Sequence, residues 1–255
     1  MISVFNHSFC IYFLLILILT FPKLSIQRTI NENELECNPK GDSQKDQYIV
    51  GYGSLIKTFS KNRTYKNTGE NMPVLINGYS RVWNCKGVSA SLSTTYLGIV
   101  PKQNGTLNGV VFKIPNSNAL EAYDERELFY CREEVDRDKI SLLVSSSQTP
   151  ANLPSGQFWI YVTKPQYTAF PTSEFPIVQS YVDTFLSGCL EMQGKHSLEN
   201  FADDCIKTTE GWTNPWINDR IFPRRPFVYE PDAGKIDKLI SKHLPKHFKT
   251  IKVEK

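Results

Sequence analysis

Two short stretches hold residue types that could do chemistry together. The first is Gly51-Tyr52-Gly53-Ser54-Leu55, which follows the apolar run Tyr48-Ile49-Val50. That run reads as a buried strand, and glycines at its end let the main chain come close to a ligand. Successive N–H groups in such a turn form a concavity suited to a carboxylate or phosphate. The second stretch is Asp124-Glu125-Arg126-Glu127. Leu120, Tyr123 and Glu127 share one helix face by their spacing, so a carboxylate is placed on the side that looks inward. Withdrawal from water raises a carboxyl pKa towards the range useful to a general base. On a frayed surface helix the same residue would instead pair with Arg126, Arg132 or Lys139.

Other chemistries find little support. Ser54 lacks the G-x-S-x-G elbow of a serine hydrolase, and the histidines beyond the N-terminal segment (His196, His243 and His247) all lie late in the chain. Neither G-x-x-x-x-G-K nor G-x-G-x-x-G occurs, which removes the familiar nucleotide loops. Cys37, Cys85, Cys131, Cys189 and Cys205 have no metal-ligand spacing. No metal or cofactor is therefore expected. A net charge of +3 with interspersed acids and bases gives no electrostatic case for nucleic acid. The basic tail from Lys242 to Lys255 reads as a solvated helix end.

The elements that must position these residues can be read in order. Lys57 to Met72 is polar and reads as a loop. Pro73 to Trp83 looks like two short strands hinged at Asn77-Gly78, a strong turn dipeptide. Leu97 to Val100 and Val110 to Ile114 read as strands separated by the turn Asn104 to Gly109. Asn118 with Glu121 forms a capping-box pattern that opens the helix leading to Glu127. Strands resume at Phe129 to Val135, Ile140 to Val144 and Gln157 to Val162. From Pro176 a broad apolar stripe at helical period begins: Ile177, Tyr181, Phe185 and Cys189. Ser197 is expected to cap a further helix carrying Phe201, Cys205 and Ile206. A last helix runs from about Pro231 to His243. Strands first and helices last predict an α+β fold.

At the N-terminus, Phe9 to Phe21 is a 13-residue apolar run. It is shorter than the roughly 20 residues a membrane-spanning helix needs, and it fits the core of a secretory signal peptide. Residues 1–27 are assigned to that signal and 28–46 to a polar segment. Residues 47–193 form the expected domain, and 194–255 a helical extension packed on it. The expected location is outside the cell or in the secretory lumen, without stable membrane insertion. There Asn62-Arg63-Thr64 and Asn104-Gly105-Thr106 are glycosylation sequons, and some cysteines should bridge, leaving one odd. Cys189 and Cys205 each fall on the apolar face of one of two consecutive helices, as core thiols or as a disulfide.

Together these residues resemble the γ-glutamylcyclotransferase superfamily, in particular its ChaC-like and AIG2-like members. The resemblance is carried by Tyr52-Gly53-Ser54-Leu55, Gly78-Tyr79-Ser80-Arg81, Gly109-Val110-Val111-Phe112 and Tyr123-Asp124-Glu125-Arg126-Glu127 with Tyr130 and Arg132. Pro171 to Phe175 and the helix starting Gln179-Ser180-Tyr181 complete it. It implies a small mixed β-barrel flanked by helices. It also implies that Gly51, Tyr52, Gly53, Ser54 and Leu55 hold a glutamyl group through the backbone, and that Glu127 is the catalytic base. At Phe175 family members often carry a substrate-contacting tyrosine, so this chain lacks that hydroxyl. The implied reaction releases 5-oxoproline and an amine or amino acid from a small γ-glutamyl substrate. The alternative is a secreted binding module of the same fold that captures γ-glutamyl or carboxylate ligands. A γ-glutamyl hydrolase or transferase would need a nucleophile or water-activating group that is not in place.

Overall fold

The computed structural model describes residues 37–89, 92–145, 152–225 and 231–254, all within the compact unit Glu32–Lys255. The expected signal peptide lies outside the described residues. Strand β1 (Gln47–Gly51) sits inside the main sheet, antiparallel to β3 (Leu92–Ile114) and parallel to β6 (Gln157–Thr163). Residues 48–51 are all buried, which is why this strand reads as an unbroken apolar run rather than an alternation. Strand β2 (Met72–Ser89) pairs with β3 along its length, and β5 (Ile140–Leu142) pairs with β2. On the other side, β4 (Tyr130–Glu134) pairs with β6.

The α+β class holds, with a mixed sheet flanked by helices, but the sheet does not close into a barrel. Its order is β4-β6-β1-β3-β2-β5, and β4 and β5 remain as ends. Curvature comes from the β2–β3 ribbon, whose register shifts between Asn77 and Tyr79 and again between Trp83 and Cys85. Asn77-Gly78 therefore sits at a bulge and not at a chain reversal. Gly78, at φ +84°, stands alone opposite Lys102 to Gly105, so the surplus residues at this shift lie on β3. At the second shift the extra residue is Asn84 of β2. The turn expected at Asn104 to Gly109 is likewise inside β3.

The helices begin later or earlier than their sequence signals. Thr58–Asn62 forms a short helix, α1, inside the expected loop. Helix α2 (Ser117–Arg126) is capped by Asn116, whose side chain accepts from the Ala119 N–H at 2.9 Å, so the Asn118 cap is corrected by two residues. Helix α3 (Gln179–Lys195) carries the apolar stripe into the core. Helix α4 (Phe201–Lys207) starts after Asn200, and Ser197 lies outside it with φ +52°. Helix α5 (Ala233–His243) and a short α6 (Pro245–Phe248) follow.

The C-terminal segment is more than helical. It supplies β8 (Thr209–Glu210), parallel to β2, and β9 (Trp216–Asn218) with β10 (Lys252–Val253), which join β7 (Ile177–Val178) in a small parallel sheet. Phe201, Cys205, Ile206, Trp216, Ile236 and Ile240 are buried in the same core cluster as Ile49, Trp83 and Phe185. Disulfides join Cys37 to Cys131 and Cys189 to Cys205, and Cys85 is a buried free thiol. Among the described residues no helix is long and apolar enough to cross a membrane.

Candidate active site

Where β1 ends, the chain turns through Tyr52 and Gly53 into a single 3-10 turn, Ser54–Ile56. This turn forms one wall of a cavity of about 20 Å³, closed by Val50, Leu97, Glu127, Tyr130, Tyr161 and Tyr181. A wider cavity of about 130 Å³ shares Ser54, Glu127, Tyr130 and Tyr181 with it and adds Tyr96, Phe129 and Arg225. The two form one cleft with a narrow floor and a broad mouth. The floor has room for little more than one water, so a larger group seated there must push the surrounding side chains apart.

Glu127 stands at the boundary between floor and mouth. It is the residue that ends α2, with φ −90° and ψ 37°, and its N–H donates to the Tyr123 carbonyl at 2.9 Å. Ending the helix there swings the side chain away from the helix face and into the cleft. The side chain is 15% exposed and pairs with Arg126, Nε to Oε1 at 3.0 Å. Burial raises its pKa above the ordinary carboxyl value, and Arg126 and Arg225 pull in the opposite direction. A carboxylate of this kind can take a proton from an ammonium group and return it to a leaving nitrogen.

Arg126 ties this carboxylate to the turn. It donates to Ser54 Oγ at 3.0 Å, to the Ser60 carbonyl and to Thr64 Oγ1, both at 2.7 Å. Ser54 thus accepts from, and orients, an arginine. The main chain of the turn is held from behind by Arg81, whose Nη1 donates to the Tyr52 carbonyl at 3.0 Å. Arg81 is fully buried, and desolvation lowers its pKa to about 9, so it stays charged at neutral pH. Close approach matters at Gly53, where a Cβ would stand 3.1 Å from the Tyr181 hydroxyl.

Tyrosines line most of the remaining floor. Tyr52 donates to the Tyr161 carbonyl at 2.5 Å, and Tyr130 to the Leu97 carbonyl at 2.8 Å. Tyr161 donates to Asp124 Oδ1 at 2.7 Å. Burial pushes the phenols of Tyr52, Tyr130, Tyr161 and Tyr181 up, and the Glu127 charge adds to this at Tyr52 and Tyr181. All four keep their protons at neutral pH.

The structure therefore brings Glu127 together with Tyr52, Gly53, Ser54 and Leu55. Gly51 completes β1 and lies behind the turn, outside the cavity wall. Phe175 lines neither cavity. Its carbonyl accepts from Thr95 Oγ1 at 2.6 Å, and its ring lies under Lys86. The neighbouring acids divide the work: Asp124 forms a bidentate pair with Arg132, at 2.9 and 3.2 Å, while Glu125 is exposed. Sequence reasoning did not assign Leu97, Arg126, Tyr130, Tyr161, Tyr181 or Arg225 to the site. Arg126, Tyr130 and Tyr181 lay within the segments that carry the family resemblance, and Tyr181 also within the apolar stripe of α3, but none was given a role.

A family model described as ChaC-like protein matches residues 47–184, more than half of the chain. Among solved structures, an uncharacterised human protein is similar at 15% identity and a TM-score of 0.47, over 64% of this chain and 88% of its own. A γ-glutamyl cyclotransferase is similar at 15% and 0.43, over 64% and 99%. A yeast γ-glutamyl cyclotransferase specific to glutathione follows at 13% and 0.40, over 64% and 97%. No curated protein matches the chain. The family match starts with β1 and ends within α3, and so takes in every residue that walls the floor of the cleft. The chain belongs to the ChaC-like protein family.

Proposed function

We propose that this protein is a γ-glutamyl cyclotransferase that releases 5-oxoproline and a free amine or amino acid from γ-glutamyl peptides or amines, glutathione among them. The observation that carries this reading is Glu127: a carboxylate withdrawn from water, with raised pKa, beside the Gly53-Ser54 turn. The substrate's α-ammonium gives a proton to Glu127, and the freed amine attacks its own γ-carbonyl carbon. A C–N bond forms and closes a five-membered ring, and negative charge collects on the γ-oxygen. Glu127 passes its proton to the leaving nitrogen as collapse of that intermediate breaks the C–N bond. It then takes the second proton from the ring nitrogen and hands it to the departing amine, which leaves as an ammonium and regenerates the carboxylate. Water is not consumed.

Amine and carbonyl already belong to one molecule, so the protein's part is to hold that flexible side chain folded on itself in the geometry of attack, with its rotations frozen before the reaction. Main-chain N–H groups of the Tyr52–Leu55 turn are assigned to the glutamyl group and the developing oxyanion. Arg126 is a positioning residue that fixes Glu127 against Ser54. The two disulfides support a place in an oxidising secretory compartment.

The test uses the chain from residue 28, folded with its disulfides formed. It is incubated with glutathione, several γ-glutamyl dipeptides and γ-glutamyl-lysine, and 5-oxoproline is followed by mass spectrometry. Glu127→Gln should keep the fold and lower kcat by about 10²- to 10⁴-fold, the usual contribution of a general acid–base group. Full activity in that variant would remove Glu127 from the mechanism. A folded wild type that binds these compounds but releases no 5-oxoproline would mark a binding module.

A further inference from the structure

The mouth of the cleft has a wall that lies outside the family-matched residues. Arg225 follows β9 in the C-terminal segment, yet its guanidinium lies over the rings of Tyr96 and Tyr181, at 5.4 and 5.9 Å from their centroids. It lines the broad mouth and not the floor. Its position is built. Asp219 is fully buried and accepts from the Ser180 N–H at 2.7 Å, from the Ser180 hydroxyl at 2.6 Å and from the Arg224 N–H at 2.7 Å. The Arg225 N–H in turn donates to Ser180 Oγ at 3.2 Å. Arg224 is held to Glu254 and to the Ser93 carbonyl. The segment that presents Arg225 is thereby fastened to the first turn of α3 and to β3.

Among the described residues, Arg225 has no carboxylate within ion-pair distance, although Arg81, Arg126, Arg132, Arg220 and Arg224 are all occupied. Beside it, the Tyr96 hydroxyl is buried. Burial raises its pKa while Arg225 pulls the other way, and by distance and angle the hydroxyl has no hydrogen-bond partner. Donor groups on a guanidinium and a phenol thus converge at the mouth with no acceptor. The chemistry that suits them is a carboxylate, taken by a charge-assisted fork with the phenol as a further donor.

We infer that Arg225 is a specificity residue: with Tyr96 it receives the carboxylate of the departing amino acid or peptide, and so favours γ-glutamyl amino acids and peptides over γ-glutamyl amines. The inference rests on the proposed reaction, because it takes the glutamyl group to occupy the floor and the leaving group to occupy the mouth.

The test compares γ-glutamyl-alanine with γ-glutamyl-ethylamine, which is the same molecule without the leaving-group carboxylate. The wild type should prefer the carboxylated substrate by about tenfold to a hundredfold in kcat/KM, the range expected of one charge-assisted contact. Arg225→Gln should bring that ratio close to one, Arg225→Lys should keep part of it, and Tyr96→Phe should lower it by a smaller factor. If Arg225 acts instead on Glu127, both substrates suffer equally and the ratio stands, which overturns the inference. Calorimetric titration of Glu127→Gln with the same two compounds separates this from failure of the reaction itself. A preference for γ-glutamyl-alanine that vanishes in Glu127→Gln/Arg225→Gln upholds the carboxylate site even if the wild type releases no 5-oxoproline. Equal affinities, or no binding of either compound, overturn it.

Discussion

Glu127 has conflicting duties towards the reaction and the fold. Burial makes its folded-state pKa higher than its value in the unfolded chain, with Arg126 and Arg225 offsetting only part of the shift. The folded protein therefore binds this proton more tightly than the unfolded one. The stabilisation from that proton is fully present below about pH 4.5, the unfolded value, and is lost as pH rises through the folded value. Glu127→Gln should thus raise Tm relative to the wild type at pH 7.5, and the gap should narrow at pH 4. Thermal unfolding at both pH values checks this; a gap of equal size at each would mean that the carboxylate is not destabilised by burial. The inward placement of Glu127 was legible from its spacing to Leu120 and Tyr123, although the residue ends the helix and does not sit within it. Its neighbours were not legible. Leu97, Tyr161, Tyr181 and Arg225 arrive from β3, β6, α3 and the segment after β9, and hydrophobic period identifies a buried face without saying which faces meet.

At the level of elements, sequence signals located the strands and helices better than they located the breaks between them. Asn77-Gly78 is a strong turn dipeptide, but positive φ at glycine serves an irregularity within a strand as well as a reversal, and only the pairing with β3 on both sides of it decides which. Closure of the sheet was illegible for the same reason, since pairing between strand edges leaves no mark in a single strand. The α3–α4 pair was clearer: both helices showed apolar stripes with a cysteine on each, and Cys189 and Cys205 are bridged across a separation of 16 residues. Loop-closure entropy for a loop of this length is worth about 3 kcal/mol. Cys189→Ala/Cys205→Ala should lower the unfolding free energy by about that amount. Equilibrium denaturation of variant and wild type measures it, and an unchanged midpoint would show that packing alone holds the two helices together.

For the whole molecule, the question is what residues 194–255 do for a family fold that is matched only through residue 184. Arg81 answers part of it. Its buried guanidinium donates to the Tyr52 and Asn108 carbonyls and to Asn108 Oδ1, all within the family-matched part. It also donates to the Cys205 carbonyl, Thr208 Oγ1 and Thr209 Oγ1, all in the C-terminal segment. Removing that segment would take away half of these bonds and leave water to replace them. It would also uncover the core surface that Phe201, Ile206, Trp216, Ile236 and Ile240 now cover. Each of these five buried side chains is worth about 2–5 kcal/mol to the core, against the roughly 5–15 kcal/mol by which whole domains are stable. A fragment of residues 28–193 should therefore fail to show a cooperative thermal transition, and the Tyr52 turn should lose its support along with the fold. Circular dichroism and proton NMR of the fragment test this. A fragment that melts cooperatively and still forms 5-oxoproline would make the C-terminal segment an accessory to the cleft, contributing Arg225 alone.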